Sequence, residues 1–231
     1  MLRWELAIEL LIFDLDGTLA DTKLDLANSV NAARAHFGLE ALPNELVYSY
    51  VGHGAPVLIR KALGPGHTDE EVQRALEYFL SCYRDRMLEN TTLYPGVRES
   101  LERLKAEGIP MAVLTNKPVR FSQEILKGLG VGEYFFRVYG GNSFEQKKPD
   151  PWGVEMLLVE AGVSKEQALM VGDSAVDVFT ARNAGIAVCG VTYGFQPESL
   201  AAEPPDILVE RMQDLVDMVI ADRNPKGATL P

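Results

Sequence analysis

The sequence is short of basic residues and of cysteine, and each shortage excludes a class of protein. Lys and Arg number 22 against 33 Asp and Glu, a formal net charge of −11. Surfaces that bind nucleic acid or anionic lipid need a basic patch, so neither partner is expected. The two cysteines, Cys82 and Cys189, lie in different segments and form no CxxC motif, so no disulfide framework is predicted.

Long hydrophobic runs are also missing, although 47% of the 231 residues are hydrophobic and can fill a large core. No run approaches the ~18 apolar residues that a membrane span needs. The opening residues include Glu5 and Glu9 and have no cleavage-site pattern, so a signal peptide is not predicted. We therefore expect a soluble, cytoplasmic protein with a small-molecule partner, either a monomer or a homodimer.

Apolar segments alternate with helical patterns over most of the chain, which predicts an α/β fold with a parallel sheet. The predicted strands cover 6–13, where Glu9 alone breaks the apolar run, and then 111–114, 134–139, 168–171, 187–191 and 207–209. The predicted helices between them cover 96–107, 118–129, 152–161, 176–184 and 211–221. Residues 224–231 are predicted to be a loose tail.

Residues 23–90 break this alternation with a run of helical patterns. Thr68 and Glu71 form a capping-box signature for a long helix that reaches about residue 88. We therefore predict a Rossmann-like core made of 1–22 plus 91–231, with an inserted helical cap at 23–90 that covers it as a lid.

The first predicted strand ends at Asp14 and Asp16, which alternation places on the same side of an extended chain. Gly17 allows a sharp turn whose amides can face an anion. Two such carboxylates would repel a phosphate unless a divalent cation lies between them. Polar residues follow other strands as well: Thr115 with Asn116, Lys148 in the next loop, and Asp173 with Asp177. Because ligands bind at the carboxyl ends of parallel strands, these groups predict one site.

Four stretches carry a resemblance to a known family: FDLDGTLADT at 13–22, VLTNK at 113–117, KKPDP at 147–151 and VGDSAVD at 171–177. The sequence resembles the haloacid dehalogenase superfamily, and specifically its phosphatase branch with a helical cap inserted after the first strand. Softer similarities at 50–63 and 94–108 favour 2-phosphoglycolate as the substrate within that branch.

The resemblance implies a Mg²⁺-dependent hydrolysis through an aspartyl-phosphate. Asp14 is the expected nucleophile, and Asp16 is the expected acid and base for the leaving alcohol and the attacking water. Mg²⁺ is expected on Asp14, on the backbone carbonyl of Asp16 and on Asp173, with Asp177 supporting the site.

The remaining predictions concern the substrate. Thr115 and Asn116 are expected to bind phosphoryl oxygens, and Lys148 to balance the charge on Asp14 and the transferring group. His53 and Arg60 are candidates from the cap for contact with a substrate carboxylate.

The sequence alone leaves several alternative activities open. A pyrophosphatase or a sugar-phosphate phosphatase belongs to the same branch. A β-phosphoglucomutase relative usually carries DGV where this chain has Asp16-Gly17-Thr18, and a dehalogenase does without the second carboxylate. A receiver-like, non-catalytic phosphate binder is about half this length and lacks the helical insertion.

Overall fold

The computed structural model describes residues 7–223, in which two strands are followed by four consecutive helices and then by strands that alternate with helices. The strands are β1 (Leu10–Phe13), β2 (Ala20–Asp21), β3 (Thr92–Leu93), β4 (Met111–Leu114), β5 (Arg137–Tyr139), β6 (Ala168–Gly172), β7 (Ala187–Val191) and β8 (Ile207–Val209). The α-helices are α1 (Lys23–His36), α2 (Asn44–Tyr48), α3 (Ala55–Leu63), α4 (Asp69–Arg86), α5 (Val97–Ala106), α6 (Val119–Gly128), α7 (Trp152–Ala161), α8 (Ala175–Ala184), α9 (Pro197–Ala202) and α10 (Met212–Arg223).

Six strands form one parallel sheet in the order β5-β4-β1-β6-β7-β8, so β1 lies in the interior. From β1 the chain builds one side of the sheet with β4 and β5, then crosses to the other side for β6, β7 and β8. The strand order therefore reverses beside β1, and such switch points are where open α/β sheets bind ligands. The predicted Rossmann-like α/β class is confirmed.

Both faces of β1 are buried, which is why all four of its residues are apolar. Leu10 and Ile12 belong to a hydrophobic cluster with residues of α7 and α8. Leu11 and Phe13 belong to a second cluster with residues of α5, α6 and α10 on the opposite face. Full burial of such side chains stabilises the fold by roughly 1.5–3 kcal/mol each. This layering fixes the end of β1 rigidly in the middle of the sheet.

Helices α1 to α4 lie between β2 and β3 and pack mainly on one another. The two flanking strands pair antiparallel, with Ala20 opposite Leu93 and Asp21 opposite Thr92, so the segment leaves and returns at one place. This ribbon was not predicted, because strands of two residues have no readable period. The predicted capping box is confirmed: Glu71 N–H donates to Thr68 Oγ1 at 3.2 Å, and Thr68 N–H donates to the Glu71 carboxylate at 2.8 Å.

Two predicted strands were too long. The apolar run at 6–13 becomes strand only from Leu10, because its neighbours β4 and β6 begin at Met111 and Ala168 and offer no earlier ladder partner; residue 6 lies outside the described residues. The strand predicted at 134–139 is shorter as well, since Gly132–Tyr134 forms a 3-10 turn and pairing with β4 starts at Arg137.

The later part of the chain also differs from what the sequence predicted. Helix α9 was not predicted, although its Pro197 stands in the first turn, where proline is tolerated. The tail predicted at 224–231 lies outside the described residues. Of the helices between residues 7 and 223, none combines the length and apolar character that a bilayer crossing requires.

Candidate active site

Asp14 lies directly after β1, at the edge of the sheet where the strand order reverses. Its backbone N–H still donates to the Val171 carbonyl of β6 at 2.9 Å. The Leu15 N–H donates to the Asp14 carboxylate at 2.7 Å and orients it. Gly17 takes a φ of +82°, and the Ala20 N–H reaches back to the Leu15 carbonyl at 3.0 Å. This turn places the Asp14 side chain at the carboxyl ends of the strands.

Three buried carboxylates meet at this edge. Asp14, Asp173 and Asp177 each present an oxygen within 4.8 Å of the others. Asp173 follows β6 and accepts a hydrogen bond from the Phe195 N–H at 2.6 Å. Asp177, in the first turn of α8, accepts from the Ser174 hydroxyl at 2.8 Å and from its N–H at 3.2 Å. Residues far apart in sequence are joined because β1 and β6 are neighbouring strands.

Lys148 is the positive charge inside this cluster. Its ammonium lies 3.0 Å from Asp14 and 2.7 Å from Asp177, and its side chain is 2% exposed. Burial alone would lower the pKa of Lys148, but the adjacent Asp14 and Asp177 carboxylates outweigh it and raise that pKa above its usual value. The ammonium therefore stays charged beside the Asp14 carboxylate.

The carboxylates of the cluster hold more negative charge than Lys148 can balance. Burial raises the pKa of Asp14 to about 6, with Lys148 opposing the rise and the Asp177 and Asp16 charges adding to it. Burial, together with the Asp177 and Asp14 charges, also raises the pKa of Asp173 well above its usual range. Buried, closely spaced carboxylate oxygens with excess negative charge fit a hard divalent cation, which prefers oxygen ligands.

The Asp16 carboxylate has different partners from the Asp14 carboxylate. The Lys117 ammonium lies 3.0 and 3.1 Å from its two oxygens, and the Thr22 hydroxyl donates to it at 2.5 Å. Both Asp14 and Asp16 line the same cavity, although they lie in the turn after β1 and not within the strand. The side chain of Asp16 is not part of the three-carboxylate cluster, so any Asp16 contact with a metal falls to its backbone carbonyl, as the resemblance implied.

Thr115 and Asn116 follow β4 and line the same cavity. The Thr115 N–H donates to the Tyr139 carbonyl of β5 at 3.0 Å, which fixes the end of β4. The Asn116 amide donates to the carbonyls of Gly52 and Lys148 at 2.9 and 3.0 Å. Its buried Oδ1 has no hydrogen-bond partner in the described part of the chain. The side-chain N–H groups of Asn116 are thus engaged with protein carbonyls, and the Thr115 hydroxyl oxygen accepts a hydrogen bond from the Lys117 N–H at 3.3 Å.

The two candidates from the helical segment are not brought to the cavity. The Arg60 guanidinium forms an exposed ion pair with Asp69 at the start of α4. His53 is exposed and is not among the cavity-lining residues, although its neighbours Gly52 and Gly54 are. The expectation that Arg60 approaches the substrate is not met by this arrangement, because α3 turns that side chain toward α4.

Sequence reasoning overlooked several side chains at the site. Lys117 was quoted within VLTNK and Thr22 within FDLDGTLADT, but neither was given a role. Gln196 lines the cavity and donates to the Val51 carbonyl at 2.6 Å. A basic residue directly after the Asn116 strand end was a readable signal for Lys117. Tyr83 is buried on α4 and lines the cavity, and no sequence pattern distinguishes it from the other apolar residues of that helix.

A parallel sheet with an aspartate after its interior strand, a buried lysine beside it and further acids after the next strand defines a class of α/β hydrolases. Comparison with known proteins also indicates a hydrolase. A family model described as haloacid dehalogenase-like hydrolase matches residues 11–191. The chain belongs to this family, and the resemblance read from its four motifs is confirmed.

Named relatives support an enzyme of this kind. The chain is 40% identical over 214 residues to a phosphoglycolate phosphatase of Pseudomonas savastanoi pv. phaseolicola, covering 90% of this chain and 78% of that protein. It is 40% identical over 219 residues to a phosphoglycolate phosphatase of Vibrio parahaemolyticus, covering 92% and 96%. A crystal structure of a predicted phosphoglycolate phosphatase from Haemophilus somnus 129PT superposes with a TM-score of 0.88 at 35% identity, covering 93% and 99%. The chain is therefore a phosphoric monoester hydrolase.

Proposed function

We propose that this phosphatase hydrolyses 2-phosphoglycolate with Mg²⁺, through an aspartyl-phosphate on Asp14. The observation that carries the proposal is the Lys148 ammonium 3.0 Å from the Asp14 carboxylate, at the end of the interior strand. With a pKa of about 6, the Asp14 carboxylate beside this cation is mostly ionised near neutral pH and can attack a phosphoryl group. The relatives' names supply the substrate.

Each residue of the site has a part in the proposed reaction. The Asp14 carboxylate forms a bond to phosphorus while the ester P–O bond breaks, and Asp16 gives its proton to the leaving alkoxide. Asp16 then takes a proton from water, whose oxygen attacks phosphorus and breaks the bond to Asp14. Lys148 and Thr115 stabilise the negative charge on the phosphoryl oxygens.

The metal would be held by Asp14, Asp173 and the backbone carbonyl of Asp16, with Asp177 orienting Lys148. When bound, Mg²⁺ neutralises phosphoryl charge as a Lewis acid. Without such a cation the acids of the cluster would repel a phosphate dianion. The fit rests on the excess negative charge of three buried carboxylates within 4.8 Å.

The helical segment 23–90 is proposed to be a cap over the core, which would close on the substrate and exclude water. Its contributions to the cavity wall are apolar side chains and glycine, apart from the Tyr83 hydroxyl; they are Leu26, Val51, Gly52, Gly54, Ala55, Leu58, Phe79, Leu80 and Tyr83. Such a wall suits a substrate with few hydroxyl groups. It offers few groups for the hydroxyls of a sugar phosphate.

Phosphate release from a panel of metabolites tests the proposal. We expect 2-phosphoglycolate to give the highest kcat/KM, ahead of pyrophosphate and hexose phosphates. Rapid acid quench followed by intact-mass measurement should show a phosphorylated chain, and Asp14→Asn should show none. A higher kcat/KM for another ester would reject the substrate alone. Phosphorylation that persists in Asp14→Asn would reject the nucleophile, and isomerised sugar phosphate would indicate a mutase.

A further inference from the structure

The cavity wall contributed by residues 23–90 carries no positive side chain among the described residues. Arg60 is paired with Asp69 on the outside of the segment, and His53 is exposed and does not line the cavity. A substrate with a carboxylate next to its phosphate still needs a cation for that second negative group, because an unpaired charge in an apolar cavity is costly. The cation must therefore come from the core.

Lys117 is the cation that meets this need. Its ammonium bonds both oxygens of Asp16, and its side chain is 4% exposed in a wall that also includes Phe79 and Phe121. An ammonium has three N–H donors. Two of them go to the oxygens of Asp16. The third lies on the side of the neighbouring Tyr83 hydroxyl, where a ligand oxygen can share it while Lys117 still holds Asp16.

Tyr83 supplies a second donor at the same place. The Lys117 ammonium lies 4.5 Å from the centre of the Tyr83 ring. Tyr83 is 1% exposed and lines the cavity, and its hydroxyl proton has no acceptor in the described chain. Burial is the main reason that the pKa of Tyr83 is raised to about 12, so the hydroxyl keeps its proton and can donate. A buried hydroxyl whose proton has no acceptor, next to an ammonium, can donate to a ligand oxygen that the ammonium also contacts.

We propose that Lys117 and the Tyr83 hydroxyl form a carboxylate-binding subsite that selects phosphate esters with a carboxylate next to the ester carbon. The inference rests on the proposed function, since it assigns a position to the second anionic group of that substrate. Asp16 must reach the leaving oxygen within about 2.7 Å to protonate it. The carboxylate of 2-phosphoglycolate is two bonds from that oxygen, which brings it beside the lysine that Asp16 already contacts.

A pair of matched esters tests the subsite. The probes are 2-phosphoglycolate and 2-hydroxyethyl phosphate, which has the same chain length and no carboxylate. The readout is the ratio of their kcat/KM values in wild type, in Lys117→Met and in Tyr83→Phe, with Lys127→Met as control. Lys127 is exposed on α6, so this control removes a lysine charge away from the cavity.

We expect Lys117→Met to lower the ratio by roughly 30-fold, the size of a charge-assisted hydrogen bond. Tyr83→Phe should lower it by about 5-fold, the size of a neutral hydrogen bond. Lys117→Arg should restore most of the preference, because it returns the charge. Lys127→Met should leave the ratio and both activities at their wild-type values.

The outcomes separate this inference from the proposed function. Equal losses on both esters in Lys117→Met and Tyr83→Phe would overturn the subsite and leave the proposed function in place. A wild type that prefers no carboxylate ester over its neutral counterpart would overturn both. A wild type that prefers a different carboxylate ester, with that preference lost in Lys117→Met, would reject 2-phosphoglycolate and support the subsite. If Lys117→Met fails to fold by circular dichroism, Tyr83→Phe and Lys117→Arg still decide the question.

Discussion

The buried carboxylate of Asp25 accepts hydrogen bonds from both the backbone N–H and the hydroxyl of Thr91, at 2.9 and 2.8 Å, although the residues are 66 positions apart. The same carboxylate accepts from the N–H of Asn90. Asp25 lies in the first turn of α1 and Thr91 immediately before β3. One side chain therefore joins the start of the helical segment to its return, next to the β2–β3 ribbon.

Asp25→Ala should destabilise the protein strongly. It would leave the Thr91 and Asn90 donors without their acceptor in a region where Asp25 itself is 1% exposed. Loss of such charge-assisted hydrogen bonds costs about 3 kcal/mol. For a chain of this size we expect Tm to fall by about 6–12 °C. The measurement is thermal unfolding by circular dichroism, with the exposed Asp85→Ala as control. Equal Tm values for the two variants would contradict this function of Asp25.

The sequence allowed the core of the site to be predicted because its residues stand at strand ends. Asp14, Thr115, Lys148 and Asp173 each follow a strand or its loop, and parallel strands bring their carboxyl ends to one edge. Side chains whose position depends on tertiary packing could not be assigned in this way. Lys117 reaches Asp16 only because β4 and β1 are adjacent.

The cavity wall that faces the strand ends was less predictable, because it too depends on tertiary packing. The wall facing the strand ends depends on how α3 and α4 are oriented, and helical periodicity does not determine that. Arg60 was a candidate from this segment, but its side chain turns to Asp69, and Tyr83 lines the cavity without having been a candidate. The β2–β3 ribbon is set by long-range pairing of four residues, which local pattern cannot show.

Gly17→Ala should abolish most of the activity. Gly17 has a φ of +82°, and a Cβ at this position would overlap the Asp173 carboxylate. The side chain would displace a proposed metal ligand, so we expect kcat/KM to fall at least about 100-fold, the upper range for disrupted metal sites. Gly162→Ala is the control, because Gly162 has a φ of +67° and open space around its Cβ position. It should lose roughly 1 kcal/mol of stability and keep its activity. Equal activity losses in the two variants would attribute the effect to backbone strain alone.

Gln196→Ala should weaken the contact between the core and the loop before α3. The Gln196 amide donates to the Val51 carbonyl, and Asn116 donates to the adjacent Gly52 carbonyl. If the helical segment closes as a cap, losing one of these bonds should lower kcat/KM by about 5- to 10-fold. Steady-state kinetics on 2-phosphoglycolate provide the measurement, and Gln123→Ala, exposed on α6, is the control. Unchanged kinetics in Gln196→Ala would show that this bond does not contribute to closure.

Stabilisation of the fold by Mg²⁺ should depend on pH over the range in which the buried carboxyl groups of the three-carboxylate cluster lose their protons. Burial raises the pKa of Asp14 to about 6 in the metal-free protein and raises that of Asp173 as well. Between the ordinary aspartate pKa and these raised values, the two carboxyl groups carry a proton in the folded chain but have lost it in the unfolded chain. The stability that these two groups contribute is present at low pH and is lost as the pH rises through about 6 for Asp14. Mg²⁺ must displace these protons, so its binding should strengthen over the same range.

Thermal unfolding in EDTA and in excess Mg²⁺, at about pH 5 and about pH 7.5, measures this difference. At the higher pH, Mg²⁺ at about 100 times its Kd should add ~2.7 kcal/mol, which raises Tm by roughly 5–11 °C. At the lower pH, protonation of Asp14 alone weakens binding about tenfold and removes ~1.4 kcal/mol of this gain. Potassium chloride at matched ionic strength controls for screening, and Asp173→Asn should lose most of the Mg²⁺ effect at both pH values. Equal Tm gains at the two pH values in the wild type would mean that these carboxylates do not exchange protons for the metal.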